Sequence, residues 1–180
     1  MGPMFAGKST ALLDQVAALE AAGRRVALVK SAVDTRYARS WVVTHDGRRA
    51  RCFAAARLED FEGELGELLD RFDAVAIDEA QFFPDLLPFS LRQAEGHGRD
   101  VLVAGLSCDF MRRSFGDIVH LVPHAASVTS LKAACFYCNS PAPYTVRVAG
   151  TAGQRLVGGA DMYRPACVTC YHECNAGREA

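Results

Sequence analysis

Charge of one sign, long apolar runs and internal repeats are all lacking in this 180-residue sequence. Lysine plus arginine number 20 and aspartate plus glutamate 21, a formal net charge of -1. That balance offers no basic stripe for nucleic acid and no cationic face for an acidic membrane. No stretch stays apolar for the length of a bilayer span. No secretory leader is expected, because Lys8 and Asp14 interrupt the first residues and no apolar core follows. These absences predict a cytoplasmic protein, with neither nucleic acid nor membrane among its partners. Cysteine is plentiful at seven, but an odd count and the reduced state of cytosolic thiols argue against a disulfide framework.

What is present is enough apolar residue, 50%, to build one sizeable core. Leu12, Leu13, Val16, Ala17 and Leu19 share one broad helical face that stops at Gly23. VALV at 26–29 is a short apolar run suited to a buried strand. Residues 31–50 are polar and irregular, with a turn at Asp46-Gly47. Leu58, Phe61, Leu65, Leu68, Leu69 and Phe72 recur at helical spacing, and AVAID at 74–78 is a second buried strand. Residues 84–98 predict a short helix with a proline start, and residues 101–106 a third strand. Strands alternating with helices predict an α/β fold, a parallel sheet covered on both faces. The pattern changes after residue 125, where residues 144–148 and 155–157 suggest a hairpin around Gly150 and Gly153. The expected division is an α/β core over 1–129 and a small metal-bearing β subdomain over 130–180.

Gly2, Pro3, Met4, Phe5, Ala6, Gly7, Lys8, Ser9 and Thr10 contain the full G-x-x-x-x-G-K-[ST] pattern of a phosphate loop. The glycines let backbone N–H groups wrap phosphates, Lys8 reaches the β/γ oxygens, and Ser9 ligates Mg²⁺ at a helix N-terminus. A chance match in a glycine-containing turn is the plain alternative, and the helix that follows speaks against it. Such a loop normally follows a strand, yet only Met1 precedes Gly2, so the expectation is a natural start further upstream. Asp78 and Glu79 close the second buried strand. There Asp78 is placed to hold Mg²⁺ and Glu79 to take a proton from an attacking hydroxyl; otherwise they are solvated acids at a strand end.

Cys135-x-x-Cys138 and Cys167-x-x-Cys170 lie 28 residues apart, with His172 and Cys174 close by as substitutes for one ligand. Four thiolates in two such pairs predict a closed structural Zn²⁺ site with a long loop tied at its base. Cys52 and Cys108 read instead as small core residues.

Together these stretches resemble the thymidine kinases of the human-cytosolic and bacterial zinc type. The similarity lies in GPMFAGKST at 2–10, DTRY at 34–37, THDG at 44–47, DEAQFF at 78–83, DFMRRSFG at 109–116, LKAACFYC at 131–138, VGGADMY at 157–163 and CVTCY at 167–171. The resemblance implies transfer of the ATP γ-phosphate to the 5′-hydroxyl of thymidine, with Mg²⁺, a structural Zn²⁺ and a homotetramer. It implies that Asp34 and Arg36 sit near the triphosphate, and that Glu79 is the general base. It also implies that Phe82, Phe110, Phe115 and Tyr163 shape the nucleoside pocket. The loop between the cysteine pairs resembles the family's lasso, whose main chain holds the base; Val157, Gly158 and Gly159 fall at the matching place. Three departures lie near that pocket: Ser107 and Cys108 replace an acidic residue and a glycine, and Ser114 replaces a proline. Arg112 or Arg113 could assist at the triphosphate. Two rival functions remain from residues alone: a non-enzymatic nucleotide- or nucleic-acid-binding regulator, and an NTPase with water as acceptor.

Overall fold

A computed structural model of the chain describes residues 1–33, 40–44, 47–149 and 158–176. Helix α1, Lys8–Ala21, springs directly from the glycine loop and buries Leu12, Leu13 and Val16. It ends at Gly23, whose φ of 80° lets the chain reverse into strand β1, Val26–Ser31. A short antiparallel hairpin, β2 (Trp41–Val43) and β3 (Arg49–Arg51), precedes β4, Phe53–Ala55. The expected irregular stretch therefore contains paired strands. At three residues each they are too short to carry a period.

The apolar spacing over 58–72 forms α2, Leu58–Leu65, and then a tighter 3-10 turn, Gly66–Arg71. The break falls at Gly66, with φ 50°. The start of α2 lacks a cap from Arg57; the carboxylate of buried Asp85 instead accepts from the N–H groups of Leu58 (3.1 Å) and Glu59 (2.9 Å). Strand β5, Ala74–Asp78, is followed by a single 3-10 turn, Ala80–Phe82, and α3, Leu86–Leu91, which loosens into a π turn over Arg92–Gly96. Strand β6 is Asp100–Val103, shorter than the apolar run; beyond it Ala104 still donates to the Ile77 carbonyl and accepts from the Ala80 N–H.

Strands β4, β1, β5 and β6 lie side by side in that order, all parallel. Alternate residues serve opposite faces. Ala27, Val29, Val75 and Ile77 pack with Leu58, Phe61, Phe83, Leu86 and Phe89, while Leu28 and Ala76 pack with Leu12, Leu13 and Val16 from α1. Burial on both sides explains why β1 and β5 read as unbroken apolar runs. Each fully buried leucine or phenylalanine contributes roughly 1.5–3 kcal/mol. No strand leads into Gly2 among the described residues. Met1 instead accepts from the Leu131 N–H at 2.9 Å and donates its ammonium to Thr129 at 2.8 Å.

After the 3-10 segment Ile118–His124 come β7 (Ala133–Ala134), β8 (Pro141–Ala142), β9 (Tyr144–Arg147), β10 (Tyr163–Ala166) and α4 (Val168–Asn175). Strand β9 pairs with β10, antiparallel, with Arg147 opposite Tyr163. The expected partner at 155–157, with Gly150 and Gly153, lies outside the described residues. Ala133, Cys135, Ala142, Val146, Ala166, Cys167, Cys170 and Tyr171 form a small core of their own, which Ala6 of the glycine loop touches.

Candidate active site

The glycine loop bends through two left-handed residues, Phe5 (φ 65°) and Gly7 (φ 75°). Gly2 is required for space, since a Cβ there would lie 2.6 Å from the Leu131 carbonyl oxygen. Met4 donates its N–H to Thr145 Oγ1 at 3.0 Å, which ties the loop to β9. Lys8 Nζ donates to the Pro3 carbonyl at 2.7 Å, so the ammonium reaches back across its own loop.

Ser9 Oγ lies 2.9 Å and 3.1 Å from the two carboxylate oxygens of Asp78, donating to the Walker-type acid at the end of β5. Burial pushes Asp78 up to about 7, and the neighbouring Glu79 charge adds to this; the Ser9 hydrogen bond and Lys8 oppose it. Glu79 adopts a left-handed backbone, φ 51° and ψ 41°. That costs energy in a non-glycine residue and turns the chain sharply off the strand.

The Glu79 carboxylate is held by a residue that the motif reading overlooked. Gln81 is 1% exposed; its Nε2 donates to Glu79 Oε2 at 2.6 Å, and its Oε1 accepts from the Leu106 N–H at 2.9 Å. Two glycines make room for it. A Cβ on Gly105 would sit 2.5 Å from Gln81 Oε1, and one on Gly116 would collide with the Gln81 carbonyl. The only signal in the sequence is the position of Gln81 inside DEAQFF.

These groups face one cavity of about 250 Å³. Met4, Phe5, Gly7, Lys8, Ser9, Thr10, Asp78 and Glu79 line it, as do Phe82, Phe110, Phe115, Gly158, Gly159 and Tyr163. Gly2, Pro3 and Ala6 do not line it, and Asp34, Arg36 and Val157 lie outside the described residues. Lys30, Trp41, Thr44, Asp109 and Thr145 also line the cavity and were not anticipated. Cys108 belongs to the wall too, half-buried, rather than to the core, whereas Cys52 packs against the α1 face of the sheet.

The aromatic end is braced from behind. Phe82 and Phe115 meet edge-on at 5.4 Å. The Arg147 guanidinium sits 3.8 Å from the Phe110 ring centre and donates to the Tyr163 hydroxyl at 3.1 Å. The Tyr171 hydroxyl donates to the Phe110 carbonyl at 2.8 Å, so α4 reaches the pocket. Arg112 stacks over Tyr171 at 4.9 Å, and neither Arg112 nor Arg113 lines the cavity.

Beyond the cavity, the sulfurs of Cys135, Cys138, Cys167 and Cys170 all lie within 4.8 Å of one another. Tetrahedral Zn²⁺ with bonds near 2.3 Å places its sulfurs about 3.8 Å apart, so the cluster fits that ion. His172 and Cys174 are not part of the cluster. Burial raises the Cys135 thiol, but hydrogen bonds with backbone groups of Cys167, Tyr137 and Cys138 outweigh it and bring the thiol down to about 6. Burial and the three other thiols push Cys170 up. A bound Zn²⁺ would take all four as thiolates.

A sequence model of the family described as thymidine kinase matches residues 1–171. Thymidine kinase a of Arabidopsis thaliana is 46% identical over 168 residues, which cover 93% of this chain and 71% of the relative. A thymidine kinase of Oryza sativa subsp. japonica is also 46% identical, over 93% of this chain and 62% of its own length. The cytosolic thymidine kinase of Homo sapiens is 39% identical over 100% of this chain and 74% of its own. Among the described residues no helix is long and apolar enough to cross a membrane. Matched in this way over almost its whole length, the chain belongs to the thymidine kinase family of phosphotransferases.

Proposed function

We propose that this chain is an ATP-dependent thymidine kinase that converts thymidine to thymidine 5′-monophosphate, a salvage step toward DNA synthesis. The observation that carries the reading is the single cavity with a glycine loop and paired acids at one end and braced aromatic rings at the other. Residues 2–10 cradle the ATP phosphates, with Lys8 turning from the Pro3 carbonyl to the β/γ oxygens. Ser9 and Asp78 would hold Mg²⁺, which would supply charge neutralisation at the β/γ-phosphates.

Glu79, oriented by Gln81, accepts the proton of the thymidine 5′-hydroxyl. The freed oxygen forms a bond to the γ-phosphorus as the bond from that phosphorus to the β–γ bridging oxygen breaks, and ADP leaves. Phe82, Phe110, Phe115 and Tyr163 hold the nucleoside so that this hydroxyl meets the phosphate in line, and positioning of this kind supplies much of the rate. Gly158 and Gly159 bring main-chain groups to the base, and the Zn²⁺ cluster anchors the segment that contains them. We place the boundary between catalytic core and zinc subdomain near residue 130, and the enzyme in the cytoplasm as a homotetramer.

Mass spectrometry of the nucleosides after incubation with Mg-ATP tests the reading. Thymidine gains one phosphoryl group while adenosine and cytidine remain unchanged. Unmodified thymidine in the presence of bound ATP would refute it.

A further inference from the structure

Lys30 is the least expected residue of the cavity. It lies near the C-terminal end of β1, opposite Asp78 in the strand register, and is 2% exposed. Among the described residues its Nζ has no hydrogen-bond partner. The neighbouring Asp78 carboxylate accepts from Ser9 and makes no bond to the Lys30 ammonium. A buried, unpaired ammonium is among the costliest groups a fold can retain. Such a group calls for an explanation, and a role in holding an anion is one that fits a cavity wall.

The surroundings identify the anion. Lys30 lines the same cavity as Lys8, Ser9 and Asp78, so the wall holds two lysines at the end where the glycine loop opens. Lys8 is held on the loop, donating to Pro3, and must swing to reach a ligand. Lys30 is fixed on a strand whose partners on both sides are in place. A cation set in a sheet is preorganised, and a triphosphate meets it with no loss of side-chain freedom.

We propose that Lys30 is a second phosphate-binding cation of this site, contacting the terminal phosphates of the nucleotide beside Lys8. The proposal rests on the reading of the cavity as an ATP site. It assigns recognition of the triphosphate to the strand as well as to the loop. The terminal phosphate, present in ATP and missing from ADP, is the group the two lysines share.

The test compares wild type with Lys30→Met, which keeps side-chain length and removes the charge. Affinities for ATP, ADP and thymidine are measured by calorimetry with Mg²⁺ present, alongside the melting temperature of the ligand-free proteins. The expected result is ATP binding weaker by about tenfold to a hundredfold, the size of one lost charge-assisted hydrogen bond. ADP should weaken less and thymidine not at all. The ligand-free melting temperature should hold or rise, because an unneutralised buried charge has gone. Unchanged ATP affinity would overturn the inference while leaving the kinase reading intact. So would a variant that melts early or fails to fold, which would mean that Lys30 stabilises the sheet. A wild-type protein that binds neither ATP nor thymidine would remove the kinase reading itself.

Discussion

The two ends of the cavity are built on different principles. The phosphate end comes chiefly from two contiguous segments, residues 2–10 and 78–79, each leaving a regular element of the parallel sheet or entering a helix, with Lys30 of β1 beside them. The aromatic end is assembled from Phe82 of a 3-10 turn, Phe110 and Phe115 of the loop after β6, and Tyr163 of β10, with Arg147 and Tyr171 behind them. One end is fixed by backbone geometry and the other by packing between the core and the cysteine-bearing segment. Local backbone geometry makes the phosphate end robust. The aromatic end depends on long-range contacts, chiefly Arg147 to Tyr163 and Tyr171 to Phe110.

Several changes should separate the two ends. The largest effect is expected from Glu79→Gln, which removes the proton acceptor and should lower kcat by about 10²–10⁴. Calorimetry should show both substrates still bound, and near-normal turnover in this variant would eliminate the base assignment. Stripping zinc, or changing Cys167 to Ser, should loosen β10 and α4 and act on the aromatic end first. The KM for thymidine is expected to rise by about tenfold, in the range seen when support around a metal site is lost, with a smaller change for ATP. Equal losses for both substrates would show that the ends are not separable.

Acidity gives a third comparison. Folded Asp78 keeps its proton up to about 7, against an ordinary value of 3.8. The ligand-free fold therefore binds an extra proton between these values. Its Asp78 contribution to stability is full below about pH 4 and is lost as pH rises toward 7. Urea titrations from pH 4 to 7 check this sign. Because Mg²⁺ requires the carboxylate, its affinity should weaken by about tenfold per pH unit below 7. The smallest effect belongs to Tyr171→Phe. Losing the bond to the Phe110 carbonyl is worth about 1 kcal/mol, so thymidine KM should rise roughly fivefold with zinc content unchanged.

The same contrast governs what could be read from the sequence. The glycine loop, the acids after β5 and the four cysteines were legible because each is short, contiguous and chemically constrained. The alternating parallel core was legible because doubly buried strands leave unbroken apolar runs. Strands β2, β3 and β4 were not, since three residues carry no period. Gln81 and Lys30 were hidden for another reason. A polar residue inside an apolar strand or turn gains meaning only when the structure shows what it faces. The pairing of β9 with β10 across the segment 148–162 could not be read locally either, because register between strands far apart in sequence is decided by packing.

The central claim is that one cavity joins a triphosphate to a nucleoside hydroxyl. It is tested most directly by ADP release from the purified protein with Mg-ATP, in the presence and absence of thymidine. The account predicts release that depends on thymidine and is not supported by adenosine or cytidine. The same rate of release without any nucleoside would contradict it and would make water the acceptor.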